Sequence, residues 1–200
     1  PARCSVSESR GKNKLRLAGF GKPKFEKADR CSVWAGQDLK KVAVRCFGMS
    51  NIEKVTIAAF GQLKLDGKIR HWGVSNFDTN DMKELYKLPA GKNCQINQVL
   101  YNLSRRGIEW DLLPWCQSMG LPIMAYSPLE QGRLLDDQRL EDISKEAEMS
   151  VAELSIAWTM RSQDVVSIPK ASSLKHVEQN INAWNVSLPN SILKALDKAF

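Results

Sequence analysis

The sequence lacks long hydrophobic runs. None of the apolar stretches in its 200 residues reaches the roughly 18 residues that a membrane-spanning helix needs. The first residues also lack the hydrophobic segment of a secretory signal peptide. We therefore expect a cytoplasmic protein with no membrane partner. With 43% hydrophobic residues, the chain can bury one sizeable core, which favours a single globular domain.

Closely spaced cysteine pairs are missing as well. The chain has five cysteines, an odd number, and no two of them form a CxxC pair. This pattern argues against both a disulfide framework and a zinc site. We interpret the cysteines as reduced structural thiols and expect no metal.

Acidic residues are scarce only in the first part of the chain. Residues 1–57 contain 13 Lys and Arg against 5 Asp and Glu, which leaves 16 against 17 for residues 58–200. A basic arm can bind nucleic acid, but this one has no recognisable motif and little aromatic interleaving. We therefore do not expect a nucleic-acid partner. Affinity that falls steeply with salt would be the sign of one.

Residues 1–55 also lack a sustained apolar period of either the helical or the strand type. We interpret this segment as a basic, poorly structured arm, and residues 56–200 as the folded part of the chain. The arm could be frame-shifted sequence, the result of a truncation, or a genuine replacement of other sequence, and these alternatives stay open.

Helix and strand patterns alternate from residue 56 onward. Four apolar strands are predicted, centred near Val74, Asn97, Met124 and Val166, with helices between them. This alternation is typical of a parallel α/β fold. Each strand ends in polar or aromatic residues, at the end where (β/α) barrels bind ligands. Ordinary strand ends entering loops would look the same.

Two of the predicted helices carry clear start signals. Asp78 or Thr79 is a plausible N-cap for the helix after the first strand. Ser150 and Glu153 form a capping-box pattern before a later helix. We interpret Arg105, Arg106 and carboxylates such as Glu109 as solvated loop residues.

Four stretches together resemble a known family: GKIRHWGVSNF, INQVLYN, MAYSPL and VVSIPKASSLKHVEQN. In this order and at these intervals they are similar to the second half of the aldo-keto reductases, a (β/α)8 TIM-barrel family that reduces aldehydes and ketones with NADPH. The resemblance implies an α/β fold in which this chain carries only the last four βα units behind an irregular basic N-terminal arm. It also implies a small-molecule carbonyl substrate.

The resemblance assigns cofactor-binding roles residue by residue. Ser75, Asn76 and Gln98 match residues that hydrogen-bond the nicotinamide carboxamide, and Tyr126 matches the aromatic residue that stacks on the nicotinamide ring. The loop that crosses the pyrophosphate corresponds to Ser127, Pro128, Leu129 and Gly132. The site of the adenosine and its 2′-phosphate corresponds to Lys170, Ser172, Ser173, His176, Gln179 and Asn180.

Two positions depart from the family pattern. Ala171 stands where the family usually has serine, and His176 where it usually has arginine. Both changes remove phosphate contacts, yet Lys170 and the hydroxyls that follow it still suit a phosphate. NADPH therefore stays favoured over NADH.

The catalytic residues implied by the resemblance are not found. The family uses a tyrosine, a lysine, an aspartate and a histidine on the first four barrel strands, and residues 1–55 contain no matching motif. None of the three tyrosines or two histidines of the chain fits these roles. We assign no catalytic residue and expect the chain by itself to be inactive.

Two functions stay open. The chain is either part of an NADPH-dependent aldo-keto reductase, or a non-catalytic NADP(H)-binding or interaction protein. In both cases four βα units leave two open sheet edges and an uncovered apolar face, so we expect self-association.

Overall fold

The computed structural model describes residues 33–34, 42–46 and 54–200, the first two ranges by their backbone alone. Within these ranges six strands form one sheet, in the order in which they occur along the chain. The strands are β1 (Val33–Trp34), β2 (Val42–Cys46), β3 (His71–Ser75), β4 (Asn97–Leu100), β5 (Ile123–Tyr126) and β6 (Val165–Ser167). β1 is antiparallel to β2, and every other neighbouring pair is parallel. The four predicted strands and the parallel α/β class are confirmed.

Helices connect the parallel strands. Residues 54–200 contain α1 (Lys54–Leu65), α2 (Thr79–Lys87), α3 (Leu112–Ser118), α4 (Gln138–Glu146), α5 (Val151–Thr159), α6 (Leu174–Trp184) and α7 (Asn190–Ala199). Three short 3-10 helices lie in the connections, at Gly91–Asn93, Gly107–Glu109 and Glu130–Asp136. Over residues 54–200, none of the helices has the length and apolar character needed to cross a membrane.

Local hydrogen bonds explain where two helices begin. Asp78 is the N-cap of α2 and forms a reciprocal capping box with Asp81. Ser150 caps α5 in the same way with Glu153. Each box satisfies backbone N–H groups that the first helical turn leaves without partners. Both predicted start signals are therefore confirmed, with Asp78 rather than Thr79 as the cap.

The two faces of the sheet differ in their surroundings. Alternate residues of a strand point to opposite faces, and the face toward the helices, here called the helix-side face, is buried. Its side chains on β3 to β6 include Trp72, Val74, Asn97, Val99, Ile123, Ala125 and Val165. Phe60 of α1 stacks on Trp72 with ring centroids 5.4 Å apart.

The opposite face, here called the open face, is only partly covered. Its side chains on β3 to β6 include Ser75, Gln98, Leu100, Met124, Tyr126 and Val166. Val166 is 39% exposed, and Ile168, just past β6, is 38% exposed. The uncovered apolar face stays a prediction, and these two side chains are where it would lie in the described part of the chain.

The segment 1–55 carries more regular structure than the sequence suggested. β1 and β2 lie within it, and β2 pairs with β3 over its whole length, from Val42 beside His71 to Cys46 beside Ser75. Strand β2 adds a fifth parallel strand to the four predicted ones, so residues 42–46 are not irregular. The other residues of 1–53 lie outside the described residues, and the boundary at residue 55 stays a prediction.

Candidate functional site

Ser75 ends β3 with a buried side chain. It is 1% exposed, and its Oγ has no hydrogen-bond partner among the described residues. The strand reaches this point through Gly73, where an added Cβ would lie 2.6 Å from the carbonyl oxygen of Ile96. β3 and β4 therefore approach too closely for a side chain at residue 73. A buried hydroxyl without a partner is costly and marks a place where a polar ligand atom would be accepted.

Asn76 follows Ser75 in the left-handed backbone region, with φ 58°. Its N–H donates to the carbonyl oxygen of Gln98 at 2.8 Å. Its side-chain Oδ1 accepts a hydrogen bond from the hydroxyl of Tyr126 at 3.1 Å. The structure thus brings Asn76, Gln98 and Tyr126 together from three successive strand ends.

Gln98 and Tyr126 lie on the open face of neighbouring strands. Gln98 pairs with Met124, and Leu100 pairs with Tyr126. The amide Nε2 of Gln98 donates to Met124 Sδ at 3.1 Å. Because a thioether sulfur is a weak acceptor, a stronger acceptor on a ligand could replace it at little cost. The ring of Tyr126 is half-buried.

The chain after β5 forms a loop with an unusual backbone, here called the β5 loop and comprising residues 127–132. Its left-handed residues are Ser127 (φ 52°), Glu130 (φ 47°), Gln131 (φ 58°) and Gly132 (φ 96°). Only the last is a glycine, so the other three adopt a conformation that L-residues avoid. Leu129 packs against Ile156 and Ala157 of α5 and Ala183 of α6, which ties the loop to both helices.

Glu130 is the one carboxylate that the β5 loop buries. Its Oε2 accepts a hydrogen bond from Asn102 Nδ2 at 2.7 Å. Its Oε1 accepts from Nη2 of Arg105 at 2.9 Å. The hydrogen bonds from Arg105 and then Asn102 lower the pKa of Glu130 below its ordinary value. Arg105 is exposed in its loop, as the sequence suggested, but its guanidinium is ion-paired to Glu130.

Six predicted site residues lie after β6 and on the first part of α6. Ser173 is the N-cap of α6, and its Oγ accepts a hydrogen bond from the N–H of His176 at 3.3 Å. Lys170 and Ser172 are exposed just before the helix, whereas Gln179 and Asn180 are half-buried. The helix start therefore presents a cation and hydroxyls next to free backbone N–H groups, an arrangement that suits an anion.

A second polar network lies beside the first, around Glu109. Arg106 Nη2 donates to Glu109 Oε2 at 2.9 Å, and Arg161 Nη2 donates to Glu109 Oε1 at 2.8 Å. Partial burial disfavours the charged form of Glu109, but the hydrogen bonds from Arg106, Tyr101 and Arg161 outweigh it and lower its pKa. Arg106 also pairs with Asp197 of α7 at 2.9 Å. Arg106 and Glu109 are therefore not solvated loop residues.

The three tyrosines of the chain lie in different environments. Burial, followed by the hydrogen bond to Glu109, raises the pKa of Tyr101, whose hydroxyl donates to Glu109 and accepts from Arg161. Burial likewise raises the pKa of Tyr86, which packs edge-on against Trp115. Of the three, Tyr126 is the one whose hydroxyl contacts the polar residues at the strand ends. The raised pKa of Tyr86, and the raised pKa and bonded hydroxyl of Tyr101, make these two poor proton donors for a ligand at this edge.

No cluster of three metal-ligating side chains occurs within residues 54–200. The two cysteines with described side chains, Cys94 and Cys116, are buried free thiols. Burial raises the pKa of Cys94 to about 11 and that of Cys116 to about 12. The interpretation of these two as reduced structural thiols agrees with their burial. Cys4 and Cys31 lie outside the described residues.

Parallel strands and helical crossovers define part of a (β/α) barrel, and the polar side chains lie at the carboxyl ends of the strands, the edge where such barrels bind ligands. The family model described as "Aldo/keto reductase family" matches residues 45–200. The chain therefore belongs to the aldo/keto reductase family. The resemblance and the TIM-barrel fold class drawn from the sequence are confirmed.

Known relatives agree with this assignment. The chain is 49% identical over 150 residues to methylglyoxal reductase YeaE of Escherichia coli, covering 72% of this chain and 53% of the relative. It is 33% identical over 144 residues to glyoxal reductase of Bacillus subtilis, covering 72% and 51%. A crystal structure of an aldo/keto reductase from Klebsiella pneumoniae in complex with NADP and acetate matches with a TM-score of 0.75 and 41% identity, over 80% of this chain and 58% of that one. The chain spans about half the length of the curated relatives it matches.

Proposed function

We propose that this chain forms the nucleotide-binding part of an NADP(H)-dependent aldo-keto reductase for small carbonyl compounds. The observation that carries the proposal is the buried Ser75 hydroxyl without a partner, beside Asn76, Gln98 and Tyr126. A nicotinamide carboxamide has one donor and one acceptor group, and a serine hydroxyl with two side-chain amides can match both. The residues present therefore fit the cofactor.

Each group of residues has a part in holding the cofactor. Ser75, Asn76 and Gln98 fix the carboxamide, and the Tyr126 ring supports one face of the nicotinamide, which decides which face meets a substrate. The Tyr126 hydroxyl is held by Asn76 at 3.1 Å, so the ring orientation is set before the cofactor arrives. When bound, NADPH supplies the hydride for carbonyl reduction.

The other two groups are proposed to hold the phosphates. The β5 loop with Ser127, Pro128, Leu129 and Gly132 is placed after β5, where it would cross the pyrophosphate. Lys170 with Ser172 and Ser173 at the start of α6 would bind the 2′-phosphate. His176, Gln179 and Asn180 follow on the same helix and would border the adenosine. This arrangement favours NADPH over NADH, because NADH has no 2′-phosphate.

The substrate proposal rests on the relatives. The Escherichia coli protein is named a methylglyoxal reductase and the Bacillus subtilis protein a glyoxal reductase. Both names refer to small dicarbonyl compounds. We therefore propose methylglyoxal as the first carbonyl compound to test, with reduction requiring the half of the barrel that carries the proton donor.

The binding proposal is tested by titrating the 200-residue chain with NADPH and following nucleotide fluorescence. We expect saturable binding, and Gln98→Ala should weaken it by roughly five- to tenfold, the usual cost of losing one or two ligand hydrogen bonds. The matched control is Gln95→Ala. Gln95 is an exposed glutamine just before the same strand, whose side chain bonds only the backbone of Asn93 among described contacts. Failure of the unmodified chain to bind NADPH, or an equal loss in both variants, would show the proposal to be wrong.

The environments of the tyrosines favour a second candidate, a non-catalytic NADP(H)-binding protein. Neither Tyr86 nor Tyr101 is suited to donate a proton at the strand ends, and Tyr126 is bonded to Asn76. Because reduction requires the half of the barrel that carries the proton donor, the two candidates are distinguished by adding methylglyoxal to the NADPH-loaded chain in the presence of that half. Loss of NADPH absorbance supports the reductase. Stable NADPH with unchanged affinity supports the non-catalytic protein.

A further inference from the structure

The β5 loop holds three non-glycine residues in the left-handed region, at Ser127, Glu130 and Gln131. Such a backbone costs free energy at every position and persists only where surrounding contacts fix it. Backbone hydrogen bonds hold part of the loop. Glu130 N–H donates to the carbonyl of Ser127 at 2.9 Å, and Gly132 N–H donates to that of Leu129 at 2.8 Å. Side chains from another part of the chain add further contacts to the loop.

These side chains belong to one turn after β4. Asn102 Nδ2 donates to Glu130 Oε2 at 2.7 Å and to the carbonyl of Ser127 at 2.8 Å. Arg105 donates to Glu130 Oε1 from Nη2 at 2.9 Å and from Nε at 3.1 Å. We call Asn102, Arg105 and Glu130 the Glu130 clamp. It binds the β5 loop at two points, the carbonyl of Ser127 near the start of the loop and the carboxylate of Glu130 in its middle.

The turn that supplies the clamp is itself rigid. Arg105 N–H donates to the carbonyl of Asn102 at 2.9 Å, and Ser104 N–H donates to Asn102 Oδ1 at 2.9 Å. Asn102 and Glu130 are both buried, which limits competition from water for the hydrogen bond between them. The clamp therefore connects the loop to a turn that is held by its own hydrogen bonds.

The clamp also controls charge at the loop. A buried carboxylate would repel an anion bound to the loop, but the guanidinium of Arg105 neutralises it. Arg133 adds a second guanidinium, whose Nη1 lies 3.7 Å from Glu130 Oε1 and whose side chain is 73% exposed. The loop therefore presents positive charge to an anion rather than an uncompensated carboxylate.

We propose that the Glu130 clamp is a positioning device that holds the β5 loop in advance in the shape that receives a diphosphate group. Identification of the ligand as the diphosphate of NADP(H) rests on the proposed function, whereas the fixing of the loop does not. Asn102, Arg105 and Glu130 act through the loop and not on the reacting atoms. Their loss should weaken nucleotide binding by allowing the loop to leave its left-handed conformation.

The first test measures amide hydrogen exchange in the ligand-free chain. Glu130→Gln keeps the shape of the side chain but removes the charge that binds Arg105, and we expect exchange of the Glu130 and Gly132 amides to be about tenfold faster. Arg105→Gln removes the same ion pair by changing its exposed partner. It should accelerate exchange to the same extent without preventing folding. Unchanged exchange in both variants would overturn the proposal.

The matched control is Glu109→Gln. Glu109 is also a glutamate bound by arginines from this part of the chain, but its partners are Arg106 and Arg161 rather than the β5 loop. We expect it to lower the melting temperature while exchange in the loop stays within about twofold of the unmodified chain. If Glu109→Gln accelerates amide exchange in the β5 loop as much as Glu130→Gln does, a general loosening of the protein explains the result. The clamp is then not specific.

The second test measures NADPH affinity in the same three variants. Glu130→Gln and Arg105→Gln should weaken binding by about tenfold, and Glu109→Gln should leave it unchanged. Faster loop exchange with unchanged affinity would contradict the positioning role. If the unmodified chain binds no NADPH, the proposed function fails by itself, and hydrogen exchange still decides whether the clamp holds the loop.

Discussion

The helix-side face and the open face of the sheet are made by the same strands but have different surroundings. On the helix-side face, Trp72, Val74 and Ile123 are fully buried by helices that the chain itself provides. On the open face, apolar residues such as Val166 stay partly exposed, and polar side chains collect at the strand ends. The first face therefore belongs to the hydrophobic core of the described part. The second carries the candidate ligand site and is the face at which we predict association between copies.

The largest effect is expected from the helix-side face. Trp72→Ala removes a fully buried ring that stacks on Phe60, and the unfolding free energy should fall by about 3–5 kcal/mol. The control is Trp184→Ala, because Trp184 of α6 is 72% exposed and its loss should cost less than about 0.5 kcal/mol. Urea unfolding followed by circular dichroism measures both. Similar costs for the two variants would mean that Trp72 does not contribute to stability in the way its burial on the helix-side face indicates.

An effect of intermediate size is expected on the reactivity of Cys94 and Cys116, the two buried thiols on the helix side of the sheet. With a pKa of about 11 instead of an ordinary value, Cys94 carries roughly a hundredfold less thiolate at neutral pH than an exposed cysteine. Alkylation of Cys94 and Cys116 by iodoacetamide should therefore be slow in the folded chain and should rise with pH. Mass spectrometry of the labelled peptides, with the urea-unfolded chain as control, checks this. Equally fast labelling of both states would show that this face opens readily.

The smallest effect on stability is expected from the open face. Ile168→Asp introduces a charge at a side chain that is already 38% exposed, so the unfolding free energy should change by less than about 1 kcal/mol. The same change should reduce self-association of the chain, because an apolar surface that is open to solvent favours contact between copies. Light scattering over a range of protein concentrations measures this. Association that is unchanged by the substitution would place the contact elsewhere.

Much of this fold was predictable because apolar patterning decides which residues face the helices. The four strands, the Asp78 cap and the Ser150 box all follow from local sequence, and the structure confirms them. Strand β2 was missed because Val42–Cys46 is a short apolar stretch between lysines and glycines, without a periodic pattern around it. Its pairing with β3 depends on contacts distant in sequence, which local patterning does not reveal.

The candidate site was only partly predictable for the same reason. Ser75, Asn76, Gln98 and Tyr126 were found because they lie in recognisable stretches, and the hydrogen bonds of the last three show that they meet. Their cofactor roles stay predictions. Glu130 gave no signal, since its partner Asn102 is 28 residues away and neither residue belongs to a charge pattern.

The packing of Leu129 has a consequence for how the two ends of a bound nucleotide would influence each other. Leu129 packs against a cluster formed by Ile156 and Ala157 of α5 and Ala183 of α6, so the β5 loop and the helix that begins after Lys170 belong to one hydrophobic cluster. A displacement of the loop must therefore shift or loosen this contact, and a displacement of α6 must do the same from the other side. We expect the β5 loop and the start of α6, the two proposed phosphate-binding elements, to be coupled. Binding of a phosphate group to one of them should make the other more rigid.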